Sequence, residues 1–215
     1  MPTIGFLHTA DVHVATFNRL VAERAPEADA VHEVRADLLD AARRHGLGDP
    51  AIETGITDSI AALERRGADV IVCTCSTISG LAERPARPTH PPVVRIDRPM
   101  AAIAVRLARR IAVVAAVEST IEPTLSLLHE EAGLAGTDVE IDSLPCFSAW
   151  PMFENGDLDG YHRLIAAHVD AVDDSYDIVV LAQATMAPAA ALVVEPARVR
   201  SSPVAAVDAA LAYVR

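Results

Sequence analysis

Cys75 is the residue best placed by its neighbours to do chemistry. It stands in the run Cys73-Thr74-Cys75-Ser76-Thr77, directly after the apolar segment Val70–Val72. A strand that ends in Cys-Ser-Thr and then opens a helix sets the Cys at the helix N-terminus. There it lies beside backbone N–H groups that no helix carbonyl uses, at the positive end of the dipole. Such a place is expected to lower the pKa of a thiol and to attract carboxylate or phosphate. Cys73 points to the same face by strand alternation but lies inside the strand, and reads as a small buried hydrophobe. Zinc asks for four ligands. The only further Cys, Cys146, is distant, and His162 and His168, six residues apart on one helix, share no face. No metal is expected.

An internal repeat supplies a counterpart to Cys75. Asp69-Val-Ile-Val-Cys-Thr-Cys75-Ser-Thr77 matches Asp177-Ile-Val-Val-Leu-Ala-Gln183-Ala-Thr185 at an offset of 108 residues. The segment from Pro99 to Ala108 matches that from Pro203 to Ala212 at an offset of 104, and Thr3–His8 pairs less closely with Arg110–Ala115. Three blocks in the same order point to two βαβ halves. In open α/β sheets ligands bind at the C-terminal edge of the strands. Cys75 and Gln183 are therefore expected to face one another over a small ligand.

Four strand-end motifs carry a resemblance. Ile4-Gly-Phe-Leu-His-Thr9, Cys75-Ser-Thr77, Glu118-Ser-Thr-Ile-Glu-Pro-Thr124 and Val180-Leu-Ala-Gln-Ala-Thr-Met186, in this order and spacing, resemble those of the aspartate/glutamate/hydantoin racemase superfamily over essentially the whole chain. The resemblance implies a pseudo-symmetric two-domain α/β fold, catalysis with neither cofactor nor metal, and a small carboxylate substrate. Hydroxyl and backbone N–H groups would hold the substrate carboxylate. It nominates Thr9, Ser76, Thr77, Thr120 and Thr185, each of which could equally cap a helix.

Racemases of this superfamily use two facing Cys. Here Cys75 matches the first, and the second position holds Gln183, whose carboxamide has no proton to exchange near neutral pH. A single Cys can act as acid or base on one face of a carbanion, or attack an unsaturated carbon. Gln183 would orient a carboxylate or carbonyl. His8, which ends the first strand where glutamate racemases carry an Asp, is the candidate for a second proton carrier. The reaction expected is racemase- or isomerase-type proton transfer α to a carboxylate. The alternatives are a single-Cys decarboxylase or lyase of a malonate-like acid, and a non-catalytic small-anion binding protein.

These residues need strands and helices to position them. Short β-branched runs alternate with stretches of helical period, the pattern of parallel βαβ units. Strands are expected at Thr3–His8, Val31–Val34, Asp69–Thr74, Val93–Ile96, Arg110–Ala115, Asp138–Leu144, Asp177–Ala182 and Arg198–Ser201. Helices are expected near Val14–Arg24, Ile52–Arg66, Met100–Ala108, Glu122–Glu131, Gly160–Val172 and Val204–Tyr213. The fold class is thus α/β, two pseudo-symmetric parallel-sheet halves with the site in the cleft between them. Residues 1–97 with 199–215 would form the half carrying Cys75, and 98–198 the half carrying Gln183.

Composition narrows the chemistry further. All 18 basic residues of the 215 are Arg. Without Lys the chain supplies no internal aldimine to pyridoxal phosphate, no Schiff-base aldolase nucleophile and no phosphate-binding Lys of a Walker loop. A net charge of −12 with no basic tail argues against nucleic acid and membrane partners. Three Cys form no disulfide framework, and the N-terminal run has no basic segment ahead of an apolar one. A cytoplasmic setting is expected, and Ala-rich helix faces permit a homodimer.

Overall fold

The computed structural model describes residues 1–83 and 91–214. The chain divides into two compact units, Met1–Ile96 with Pro203–Arg215, and Asp97–Ser202. In the first unit the order is β1 (Thr3–His8), α1 (Val12–Arg24), β2 (Asp29–Val34), α2 (Ala36–His45), α3 (Pro50–Arg65), β3 (Val70–Cys73), α4 (Ser76–Ala82) and β4 (Val93–Arg95). The second unit contains α5 (Arg98–Leu107), β5 (Arg110–Val114), α6 (Ile121–Ala135), β6 (Glu140–Ser143), α7 (Trp150–Glu154), α8 (Leu158–Asp170), β7 (Ile178–Leu181) and β8 (Val199–Arg200). The last helix, α9 (Ser202–Leu211), returns the chain to the first unit from Pro203 on.

Each unit holds a four-stranded parallel sheet, in the orders β2-β1-β3-β4 and β6-β5-β7-β8. The two orders are the same once the second set is renumbered. All eight expected strands are present, within one or two residues of the expected ends. The central strands are apolar throughout because parallel strands are covered on both faces. Val70, Ile71, Val72 and Cys73 are all fully buried, as are Ile111 to Val114, and Ile178 to Leu181 are at most 3% exposed.

The repeat is visible as hydrogen bonds. Asp69 N–H donates to the Thr3 carbonyl at 2.8 Å, and Asp177 N–H to the Arg110 carbonyl at 2.9 Å. At the other end of the same strand pairs, Thr74 N–H reaches the Leu7 carbonyl and Ala182 N–H the Val114 carbonyl, both at 2.9 Å. The carboxylates of Asp69 and Asp177 also serve alike, accepting the N–H groups of Thr3 (2.8 Å) and Arg110 (2.9 Å). Thus Leu7 corresponds to Val114, Thr74 to Ala182, and, two residues past the first pair and one past the second, Thr9 to Ala116 and Cys75 to Gln183.

Two further features bear on the strand ends. Gly5 lies where β1 passes α3 and β3. A Cβ there would stand 2.9 Å from Ala68 Cβ and 3.1 Å from Ile71 Cγ1. On one face of the first sheet, Leu7, Ile71, Cys73 and Cys75 pack with Ile52, Ile56, Leu63 and Ile78. On the other, the Phe6 and His8 rings lie against Phe17 of α1, His8 also against His13, and the His32 ring against Phe6 and His8, at centroid separations of 4.9 to 5.8 Å. Cys73 is fully buried, as a small hydrophobe would be.

Candidate active site

The ends of β1 and β3 carry five of the expected residues. His8 closes β1 and Thr9 follows it; β3 ends at Cys73, and Cys75 caps α4 with an extended backbone (φ −105°, ψ 108°). The Cys75 carbonyl accepts the N–H groups of Ser79 (2.9 Å) and Ile78 (3.2 Å), which fixes the first turn of the helix. Cys75, Thr9, Ser76 and Thr77 are 8%, 7%, 4% and 4% exposed, so the group is recessed but not sealed.

Burial pushes the Cys75 thiol up from its ordinary pKa. The hydroxyls of Thr9 and Thr77 and the backbone N–H groups of Thr77 and Ile78 all donate toward the sulfur and pull the other way, but desolvation is the larger effect. This corrects the expectation of a lowered pKa. A helix of seven residues has a short dipole, and a nearly buried sulfur loses more from leaving water than the dipole returns. The result is a thiol that stays protonated in the resting protein, with hydroxyl and backbone N–H groups beside it that favour the thiolate once it forms. Such a group is suited to giving a proton to a carbanion and to holding the charge it keeps.

His8 does not occupy the place expected of a second proton carrier. It is fully buried, with Nδ1 2.7 Å from Thr74 Oγ1 and Nε2 2.9 Å from His32 Nδ1. Both ring nitrogens are used inside the unit, and burial, with His13 and His32 nearby, pulls its pKa down to about 3. The ring is neutral at physiological pH and presents no unengaged nitrogen to a substrate.

The second unit holds the remaining three. Gln183 follows β7 in extended conformation, and its Oε1 accepts the backbone N–H of the buried Ala116 at 2.8 Å. This bond fixes the orientation of the amide, leaving Nε2 buried with no hydrogen-bond partner. Thr185 shares a 2.9 Å hydrogen bond with the hydroxyl of Tyr161, and its carbonyl lies 3.0 Å from His162 Nε2. Tyr161 is fully buried, and burial raises its pKa well above that of an ordinary phenol. Thr120 is 2% exposed where a short 3-10 turn, Glu118–Thr120, leads into α6. Cys146, also buried, has its thiol pushed up by desolvation against a hydrogen bond from Ser148.

A family model described as Asp/Glu/Hydantoin racemase matches residues 9–215. The chain belongs to the Asp/Glu/Hydantoin racemase family. Among solved structures, an aspartate racemase from Picrophilus torridus superposes with a TM-score of 0.71 at 13% identity, over 99% of this chain and 94% of that one. A glutamate racemase from Thermus thermophilus, solved with beta-chloro-D-alanine, gives 0.71 at 19%, over 99% and 80%. An allantoin racemase from Klebsiella pneumoniae gives 0.64 at 17%, over 100% and 88%. At these identities the likeness speaks for the fold. No curated protein sequence matches the chain.

Within this Asp/Glu/Hydantoin racemase family member, sequence reasoning passed over four residues that complete the local geometry: Thr74, His32, Ala116 and Tyr161. None had a signal in its neighbours. Each matters through a bond to a residue 24 to 67 positions away. Among the described residues no group of three or more His, Cys, Asp or Glu is placed to hold a metal ion, and no helix is long and apolar enough to cross a membrane.

Proposed function

We propose that this chain catalyses proton transfer at a carbon α to a carboxylate, without a cofactor, with Cys75 as its acid/base group and a small carboxylate as substrate. The observation that carries this reading is the place of Cys75: an extended N-cap residue of α4, 8% exposed, with Thr9, Ser76 and Thr77 beside it 7%, 4% and 4% exposed. A recessed thiol at a helix N-terminus, among hydroxyl groups, suits a group that becomes a thiolate during turnover. Thr9, Ser76, Thr77, Thr120 and Thr185 are assigned to carboxylate binding, with the Thr185 hydroxyl oriented by its bond to Tyr161. Gln183 hydrogen-bonds a carboxylate or carbonyl oxygen through Nε2. His8 leaves the list of proton carriers.

One thiol and one carboxamide also suit a second reading, stereospecific protonation after loss of carbon dioxide from a malonate-like acid, because Gln183 cannot serve the opposite face. Proton NMR in deuterated water with amino acids, hydantoins, arylmalonates and maleate separates the two. Exchange of the α-proton without net conversion is the expected result. Deuterium incorporated on one face with loss of carbon dioxide would move the assignment to the lyase. Cys75→Ser is expected to abolish either reaction, and full turnover in that variant would overturn the role of Cys75. Carboxylate binding with no exchange in any substrate would leave a small-anion binding protein.

A further inference from the structure

Beneath Cys75, on the opposite face of the first sheet, runs a chain of hydrogen bonds that the proton-transfer reading does not use. Asn18 Oδ1 lies 3.0 Å from His32 Nε2, His32 Nδ1 lies 2.9 Å from His8 Nε2, and His8 Nδ1 lies 2.7 Å from Thr74 Oγ1. Four side chains from α1, β2, β1 and the β3–α4 junction are linked end to end. Asn18 is exposed, His8 fully buried and Thr74 2% exposed, so the chain runs from the surface to the core.

The donors and acceptors fix a direction. Asn18 Oδ1 can only accept, so His32 carries its proton on Nε2 and accepts on Nδ1. His8 then carries its proton on Nε2 and accepts on Nδ1 from the Thr74 hydroxyl. That hydroxyl has one proton and two acceptors within reach, His8 at 2.7 Å and the Leu7 carbonyl at 3.2 Å, and the shorter contact takes it. Both rings must be neutral for the sequence to hold. Burial and the neighbouring His13 keep His8 so, and burial, with Arg66 beside it, lowers His32 as well. Arg66 donates to the His32 carbonyl at 2.7 Å.

The end of this chain is one residue away from the thiol on both strands. His8 immediately precedes Thr9, and Thr74 immediately precedes Cys75. The His8–Thr74 bond therefore braces the ends of β1 and β3, and Thr9 and Cys75 each directly follow one of the two braced residues. We propose that Asn18, His32, His8 and Thr74 form a positioning chain that sets the approach of the Thr9 hydroxyl to Cys75 Sγ. His8 acts here through Thr74, and the proposal rests on the reading of Cys75 as the acid/base group.

The test is the pH profile of Cys75 alkylation by iodoacetamide, with the modified residue located by peptide mass spectrometry. Asn at position 8 places its amide near the Nδ1 position and keeps the bond to Thr74, whereas Gln places it near Nε2 and loses that bond. His8→Asn is expected to keep the midpoint of the wild-type profile. His8→Gln and Thr74→Val are expected to move it upward and to slow alkylation at pH 8 by about tenfold, the worth of one hydrogen bond to a charged group. A purely structural role would lower the melting temperature of all three without moving the midpoint, and that outcome overturns the proposal. So does a His8→Asn profile displaced as far as that of His8→Gln. Asn18 is exposed, so Asn18→Ala folds. Long-range 1H–15N spectra are expected to find wild-type His8 as the Nε2–H tautomer and a mixture in Asn18→Ala; a wild-type Nδ1–H tautomer would refute the direction derived above. None of these measurements needs turnover. If Cys75→Ser remained active, the catalytic reading would fail while the thiol profiles still judged the chain.

Discussion

Gln183 accepts the backbone N–H of Ala116 at 2.8 Å through its side-chain carbonyl. In the first unit the equivalent pair is Cys75 and Thr9, and there the Thr9 hydroxyl acts against the burial that raises the thiol pKa. The two units have kept one connection and changed its chemistry. In one a hydroxyl serves a thiol; in the other the main chain serves an amide.

Substitution of Gln183 should separate the two ends of its side chain. Gln183→Glu keeps an oxygen for Ala116 and exchanges the NH2 for a second oxygen. We expect the variant to unfold at a lower urea concentration, because the second oxygen is buried without a donor, and KM for a carboxylate substrate to rise by about tenfold or more, the loss of a donor being compounded by like charge. Gln183→Leu removes the acceptor and leaves a buried N–H unmet, costing about 1–3 kcal/mol in urea unfolding. Gln183→Cys restores a second thiol, and a low rate of α-proton exchange on both faces is expected by NMR. An unchanged KM in Gln183→Glu would remove Gln183 from the substrate.

Acid should unfold the protein through its histidines. His8 and His13 are held down to about 3 and about 4, mainly by burial, while in an unfolded chain both titrate near the ordinary value of 6.5. Because the folded values are depressed, the unfolded state binds protons first as pH falls below about 6.5. The stability these groups contribute is complete above that pH and is lost progressively toward pH 4 and then 3. Two protons, each worth about 1.4 kcal/mol per pH unit, give the limiting slope of stability against pH. Urea titrations between pH 7 and 4 measure it. A slope corresponding to less than one proton would contradict the burial of the cluster.

Gly5→Ala tests the packing of β1. The added methyl meets two side chains at or inside contact distance, one of them the short Ala68, which cannot swing away. A loss of about 1–3 kcal/mol in urea unfolding is expected, as for other overpacked cores. An unchanged midpoint would mean that β1 and α3 part more easily than their buried contact suggests.

Strand periodicity and the repeat made the sheets legible, since both depend on residues close in sequence or on segments that match by eye. Several helices were harder. α8 starts at Leu158 rather than Gly160 because Asp157 caps it, its side chain accepting the Gly160 N–H at 2.8 Å. The signal, an Asp three residues ahead of Gly160, was available. α2 and α7 carry weaker patterns. α2 is a short amphipathic segment rich in Arg, and α7 is five residues following a 3-10 turn. At the site, the positions of Cys75, Thr9 and Gln183 followed from motif and repeat. The charge state of Cys75 did not, because it is decided by how much water the fold removes. Nor did the engagement of His8, whose partners Thr74 and His32 are 66 and 24 residues away.

The path of the chain through the two units carries a consequence for synthesis. The second unit is one uninterrupted stretch, Asp97–Ser202, whereas the first recruits residues from Pro203 onward. Arg24 of α1 grips both carboxylate oxygens of Asp208 on α9 through Nε and Nη2. As the polypeptide leaves the ribosome, the unit that begins first is therefore the one that closes last. The unit bearing Cys75 is complete only once α9 has been made, whereas by then the unit bearing Gln183 has been made in full.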